Sequence, residues 1–288
     1  MERCDILIVG AGVAGIAAAK AARRAGCRRV LLVDRRKEMG GVLGQCAHHG
    51  FGPNLTGPEF TKSLLENFPE GIGWYPDTMV LSLTRKKTAW LSGPEIGRME
   101  IGFQQVILAT GCLEIPMGAL PIAGTRPREI YTAGQMQERM NRSGYVPEGP
   151  VVILGSGDLG MILAGHLGEK GIPVTVVEQR DVCGAMARNR RCLQQYPIEL
   201  LLGCTISQVF GYPHLEGVIT SKGQRLSCKS LLIAVGLRPD RELAEGLENP
   251  PWLHLCGNCS RVHPMVEAVV REGTQAGIAA WKQIRGTL

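Results

Sequence analysis

The stretch Gly40–Gly52, GGVLGQCAHHGFG, sets one cysteine and two adjacent histidines among five glycines. Three chemistries use such residues: a metal centre, half of a redox disulfide, and the wall of a cofactor pocket. Tetrahedral metal sites draw spaced ligand pairs from two places in a chain. Cys46, His48 and His49 lie within four residues, too close to converge, and no second cluster follows, so no metal is expected. As a pocket wall, glycines 40, 41 and 44 let the backbone approach a ligand, and a histidine titrating near ~6.5 can pass a proton. Cys46 as a small buried filler and His48 as a hydrogen-bonding residue is the competing reading.

What such a pocket would hold depends on the elements around it. Residues 5–19 read DILIVGAGVAGIAAA: an apolar run, Gly10-x-Gly12-x-x-Gly15, then an alanine-rich helix. The next apolar run, VLLVD, ends at Asp34. This is a dinucleotide-binding fingerprint in strand–turn–helix context. Gly10 permits the turn, Gly12 admits a pyrophosphate, Gly15 seats the helix on the strand, and Asp34 suits a ribose diol. The helix N-terminus offers free N–H groups to the diphosphate. The device recurs as VVILG, Gly155-x-Gly157-x-x-Gly160, a helix to about Lys170, and PVTVVE ending at Glu178. VILATG at 106–111 and LLIAVG at 231–236 each close one half, and alternating stretches at 79–103 and 206–229 read as antiparallel ribbons. The repeat predicts an α/β fold of two Rossmann-like dinucleotide-binding domains. A second copy that binds nothing is the alternative.

Composition agrees. The chain has 288 residues, 44% apolar and 20% charged, a globular mixture large enough for two cores. Its net charge of +6 sits in short patches such as Arg23–Arg24 and Arg35–Arg36–Lys37, without aromatic interleaving, so no nucleic acid is expected. No apolar run approaches the ~18–20 residues of a membrane span, and no signal peptide is read at the N-terminus. Ten cysteines without framework spacing suit reduced thiols and a cytoplasmic location.

On IVGAGVAG, Asp34, Gly40–Gly41, ATG at 109–111, GSGDLG at 155–160 and CGN at 256–258, the chain resembles flavoproteins with two dinucleotide-binding domains. This is the group of thioredoxin reductase and glutathione reductase. The resemblance implies FAD in the first domain and NAD(P)H in the second, the NAD domain being inserted in the FAD domain. Residues 1–118 and 241–288 would form the first and 119–240 the second. GGVLGQCAHHGFG, TGPEF, ATGCLE, IYTAGQ and GSGDLG also resemble the FAD/NAD-dependent oxidoreductases associated with glycerol-3-phosphate dehydrogenase. More distantly they are similar to the alpha subunits of opine oxidases, hydrogen cyanide synthases and amino-acid dehydrogenases. That group usually has asparagine after the first histidine, where this chain has His49. Some of those subunits carry an iron–sulfur segment; the sequence shows none, so any cluster is expected on another chain.

By resemblance, FAD contacts fall at Gly10, Gly12, Ala14, Gly15, Asp34, Arg35, Gly41, Val42, Gln45, Cys46, Ala109, Thr110, Gly111, Gly257, Asn258 and Val266. Nucleotide contacts fall at Gly155, Gly157, Asp158, Leu159, Gly160, Glu178 and Gly236. Asn258 stands where the family has aspartate, and the helix beginning near Val266 would aim its dipole at the flavin. Disulfide reductases of the group place Cys-x4-Cys after the Gly-Gly pair, but Phe51 stands where a partner for Cys46 would be. The sole Cys-x-x-Cys, Cys256–Cys259, falls on the turn used against FAD. Cys46 and His48 are therefore expected at the flavin, without a dithiol. Glu178 favours NAD(H) over NADP(H), while Arg180 pulls the other way. The expected activity is hydride exchange between NAD(H) and flavin, with electrons passed to or from a partner FAD-dependent dehydrogenase or a small iron–sulfur protein in a heteromeric complex. A non-turning-over electron-relay subunit and a free-standing NAD(P)H oxidase or quinone reductase are the alternatives.

Overall fold

The structure, a computed structural model, describes residues 2–286. The runs ILIV and VLLV form strands Ile6–Val9 and Val30–Val33, every residue of which is buried. Leucine and β-branched side chains suit strands covered on both faces. They lie in a five-stranded parallel sheet ordered Leu253–Leu255, Gln105–Leu108, Ile6–Val9, Val30–Val33, Ile72–Tyr75. Because successive side chains point to opposite faces, Ile6 and Ile8 pack under helices Val13–Arg24 and Val266–Gly286. Leu7 and Val9 pack on the other face with Val80, Ala89, Leu91 and Ile101 of an antiparallel ribbon, Met79–Leu83, Thr88–Gly93 and Gly97–Gly102.

The second half of the repeat builds the same sheet again, ordered Ile130–Thr132, Ser230–Ile233, Val151–Leu154, Val174–Val177, Ile198–Leu201. Its ribbon is Ile206–Phe210, Gly217–Thr220 and Arg225–Ser227. The correspondence extends to single hydrogen bonds. Gly10 N–H donates to Val33 O and Gly155 N–H to Val177 O, both at 2.8 Å. Ala109 N–H donates to Val9 O at 2.8 Å and Ala234 N–H to Leu154 O at 2.7 Å.

The chain divides into a unit running to Leu113 and resuming at Arg238, and a second unit, Glu114–Leu237. Both crossings fall a few residues before the expected 118/119 and 240/241. The reason lies in individual hydrogen bonds. Glu114 already accepts the Thr132 hydroxyl and the Gly134 N–H (2.6 Å) in the second unit. Asp240 already donates its N–H to Gly111 O at 3.0 Å in the first. Among the described residues no helix is long and apolar enough to cross a membrane, and no three His, Cys, Asp or Glu side chains gather as a metal site.

Candidate functional site

In the first unit the predicted cofactor residues converge on the C-terminal edge of the parallel sheet, where open α/β sheets bind ligands. Gly10 has φ +104° and its α-hydrogen faces Ala109 O, so a side chain there would strike backbone. Gly15 packs on Gly10 O, which seats the helix on the turn. Gly12 is the N-cap of Val13–Arg24 and bridges Gly40 of the following glycine pair. Gly40 N–H donates to Ala11 O at 2.8 Å, and a Cβ on Gly41 (φ +59°) would lie 3.0 Å from Gly12 Cα. Gly257 (φ +66°) brings the last turn against Ala14, where a Cβ would come within 2.7 Å of Ala14 Cβ. Segments distant in sequence thus enclose one helix N-terminus.

That N-terminus carries no side-chain cap, and neither does the one at Gly157. Helices Gly57–Leu65 and Ala133–Ser143 are each closed by a capping box, Thr56–Glu59 and Thr132–Gln135. The fingerprint helices therefore keep orphan N–H donors that an anion would satisfy. Asp34 completes the cradle. Its Oδ2 accepts Ala11 N–H at 2.6 Å and its Oδ1 accepts Arg36 N–H at 2.7 Å. Each oxygen keeps a lone pair, enough for a diol.

The other expected residues differ in exposure and bonding. Arg35 is exposed; Arg36, which carried no signal of its own in the sequence, donates Nη1 to Gly41 O at 3.0 Å and braces the glycine pair. Val42 is 57% exposed, whereas Gln45 is buried. Thr110 donates its hydroxyl to Asp240 O at 2.6 Å, next to Gly111 (φ +83°). Asn258 Oδ1 accepts His263 N–H at 3.0 Å, and Gly257 N–H is held by Glu272 Oε2 at 2.9 Å. Glu272, fifteen residues along and on the last helix, had no local signal in the sequence.

Cys46 and Val266 meet in one apolar cluster with Val13, Leu43, Phe51, Phe60 and Val269. Burial alone pushes the Cys46 thiol up to about 11, so it stays protonated at neutral pH and is no ready nucleophile. His48 is half-buried, its ring tilted against Phe51 with centroids 5.2 Å apart. The neighbouring His49 turns outward and its Nδ1 meets Asn54 O at 2.9 Å. Cys256 follows a strand and Cys259 sits in the turn Gly257–Cys259; both are buried and burial raises both thiols.

The second unit repeats the cradle with one important difference. Gly155 (φ +106°) abuts Ala234 O, Gly160 packs on Gly155 O, and Gly236 has φ +143°. Leu159 packs into the core beneath. Glu178, however, is saturated: Oε2 accepts the Ser156 N–H (2.9 Å) and hydroxyl (2.6 Å), and Oε1 accepts the Arg180 N–H (3.0 Å) and Nε (3.1 Å). Burial pushes its carboxyl up, but the Arg180 and Ser156 donors outweigh that and hold it at about 2. Four protein donors thus occupy Glu178, which is expected to contact the nucleotide, and leave it less open to a ribose diol than Asp34. Asp158, at the first position of its helix, is likewise engaged, its Oδ1 accepting Met186 N–H (2.8 Å) and Asn189 Nδ2 (2.6 Å).

Comparison with known proteins accords with this geometry. An opine oxidase subunit of Agrobacterium tumefaciens is 30% identical over 83% of this chain and 54% of its own length. Hydrogen cyanide synthase subunit HcnB of Pseudomonas protegens is 24% identical over 84% of this chain and 59% of its own. The chain thus spans little more than half of these relatives. Lactococcus lactis thioredoxin reductase superposes with a TM-score of 0.78 at 20% identity, covering 98% of this chain and 99% of that one. Residues 4–250 match the model of the pyridine nucleotide-disulphide oxidoreductases. With two glycine cradles on two parallel sheets and that match over most of its length, the chain belongs to the pyridine nucleotide-disulphide oxidoreductase family.

Proposed function

We propose that this oxidoreductase holds FAD in the first unit and NAD(H) in the second, and exchanges electrons with a partner protein in a reducing, cytoplasmic setting. The observation that carries the reading is the convergence of residues 10–15, 40–46, 109–111 and 257–258 on one uncapped helix N-terminus. A cradle of that many segments suits a ligand with two phosphates, two sugars and a ring system. Bound together, flavin and nicotinamide supply hydride exchange; the protein's share is binding, orientation and electrostatics. The N–H groups at Gly12–Ala14 hold the diphosphate, Asp34 holds the ribose diol, and Asn258 and the start of Val266–Gly286 address the flavin end. His48, beside Phe51, would be the group that moves a proton to or from a bound flavin, while Cys46 packs in the apolar cluster with Phe51. The turn Gly155–Gly160 receives the second diphosphate.

A second reading gains from Glu178 and Asp158. A carboxylate already filled, and another at the start of the helix, make the second cradle less open than the first. This suits a relay protein whose second fold holds a nucleotide without turning it over. Anaerobic mixing with NADH separates the two. The protein is expected to be yellow, to release FAD on denaturation, and to bleach rapidly with NADH. Nucleotide binding without bleaching selects the relay, and a colourless protein that cannot be reconstituted rejects both.

A further inference from the structure

The glycine turns occupy one edge of the first sheet; a different cluster occupies the other. Arg3 and Cys4 lie just before strand Ile6–Val9, Arg29 just before Val30–Val33, and Gln104 just before Gln105–Leu108. In a parallel sheet these positions share the N-terminal edge, away from the dinucleotide turns. There they border a cavity of about 280 Å³ whose walls include Arg3, Arg29, Lys86 and Lys87 and whose floor includes the buried Cys4 and Phe103. No acid lines it. Asp5, next in the chain to Cys4, is already committed. Its Oδ1 accepts Arg29 Nη2 at 2.6 Å, Arg29 Nε at 3.2 Å and Gln104 Nε2 at 2.9 Å.

Asp5 therefore neutralises one cation while fixing Arg29 and Gln104 in the wall. Arg3, Lys86 and Lys87 make no ion pair among the described residues. The lysines are not on a loose loop. The turn between two ribbon strands is closed by Lys87 N–H to Thr84 O (3.0 Å) and Thr84 N–H to Thr88 O (2.9 Å). Three uncompensated like charges around a concave apolar floor repel one another and focus a positive potential into the hollow. A counter-charge with several anionic oxygens relieves that repulsion and satisfies the donors together. At ~30 Å³ per water, the cavity matches about nine waters, room for a pyrophosphate or a tricarboxylate.

We propose that this cavity binds a small multivalent anion of the phosphate or carboxylate class, at a site separate from both fingerprints. The test is calorimetric titration of the FAD-loaded full chain with pyrophosphate, and separately with citrate, at constant ionic strength set by chloride. Because pyrophosphate also suits the turn at Gly155–Gly160, the pyrophosphate titration is run with NAD+ saturating that turn, and the variant is Lys86→Ala/Lys87→Ala. Saturable one-to-one binding is expected in the wild type, weakened roughly ten-fold or more in the double lysine variant. Flavin content and NADH reduction of the lysine variant should match the wild type, which separates this site from the flavin reading. Equal affinity with and without the lysines, no saturable binding, or binding abolished by NAD+ overturns it.

Discussion

At Asp34 each carboxylate oxygen accepts one backbone N–H, and at Glu178 each accepts two donors. The extra methylene of glutamate lets it reach the Ser156 hydroxyl and the Arg180 guanidinium, so the same topological position becomes structural. Its linkage sign follows from a folded carboxyl at about 2 against an ordinary 4.5. The ionised form is favoured by folding, so this contribution is present above the unfolded value and is lost as pH falls from about 4.5 toward 2. Glu178→Gln should lower Tm most above pH ~5, with the gap to wild type closing near pH ~2; a gap independent of pH contradicts the assignment. Releasing Arg180 by Glu178→Ala should also raise kcat/KM for NADPH relative to NADH, because a freed guanidinium can meet a 2′-phosphate. In the first unit, a protonated, packed Cys46 cannot start thiol chemistry. Cys46→Ser should take up two electrons per FAD and keep most NADH-driven dye reduction, whereas four-electron uptake in the wild type would mean a dithiol. His48→Ala should slow reoxidation by the natural acceptor by ~10²–10⁴-fold and spare flavin reduction.

The element on which the first cradle depends most is the pair of helices Val13–Arg24 and Val266–Gly286. Gly273 and Gly277 lie directly on the Ala14 and Ala18 carbonyls, so a Cβ at either would strike backbone that cannot rotate away. Gly277→Val should force the helices apart, cost about 1–3 kcal/mol in stability, and lower FAD content. An unchanged melting curve with full flavin would show that the close approach is dispensable. The four-residue spacing of Gly273 and Gly277 marks a packing face in the sequence itself, as the apolar runs and turns mark both fingerprints. Periodicity reports local conformation, and these segments are locally determined. Glu272 on Gly257 and Asp240 on Thr110 were not readable, because each bond is set by where the fold brings a distant backbone group, and Arg36 on Gly41, five residues apart, is set by the turn the glycine pair makes. The saturation of Glu178 was hidden for the same reason: the sequence shows an acid at a strand end, but not how many donors surround it.

At the scale of the whole molecule, electrons that enter must leave. Three cysteines beside the first cradle, Cys46, Cys256 and Cys259, are buried with raised thiols, while Cys112, next to Gly111 and bonded by Asn258 Nδ2 at 3.7 Å, is half-buried. The relatives of which this chain spans little more than half are named as subunits of opine oxidase and of hydrogen cyanide synthase. Under the proposed function, the reduced flavin passes its electrons to a second protein. For the chain alone, reduction by NADH should be rapid and reoxidation by oxygen or small quinones slow, so that steady-state turnover is limited by the missing acceptor. Adding the natural partner dehydrogenase or iron–sulfur protein should accelerate reoxidation without changing the rate of flavin bleaching. The arrangement is measured by double-mixing stopped flow, first with NADH and then with acceptor. Rapid reoxidation by oxygen alone, at a rate equal to turnover, would make the chain a free-standing oxidase. Acceleration by a quinone to the same limit would make it a quinone reductase, and either result removes the need for a partner.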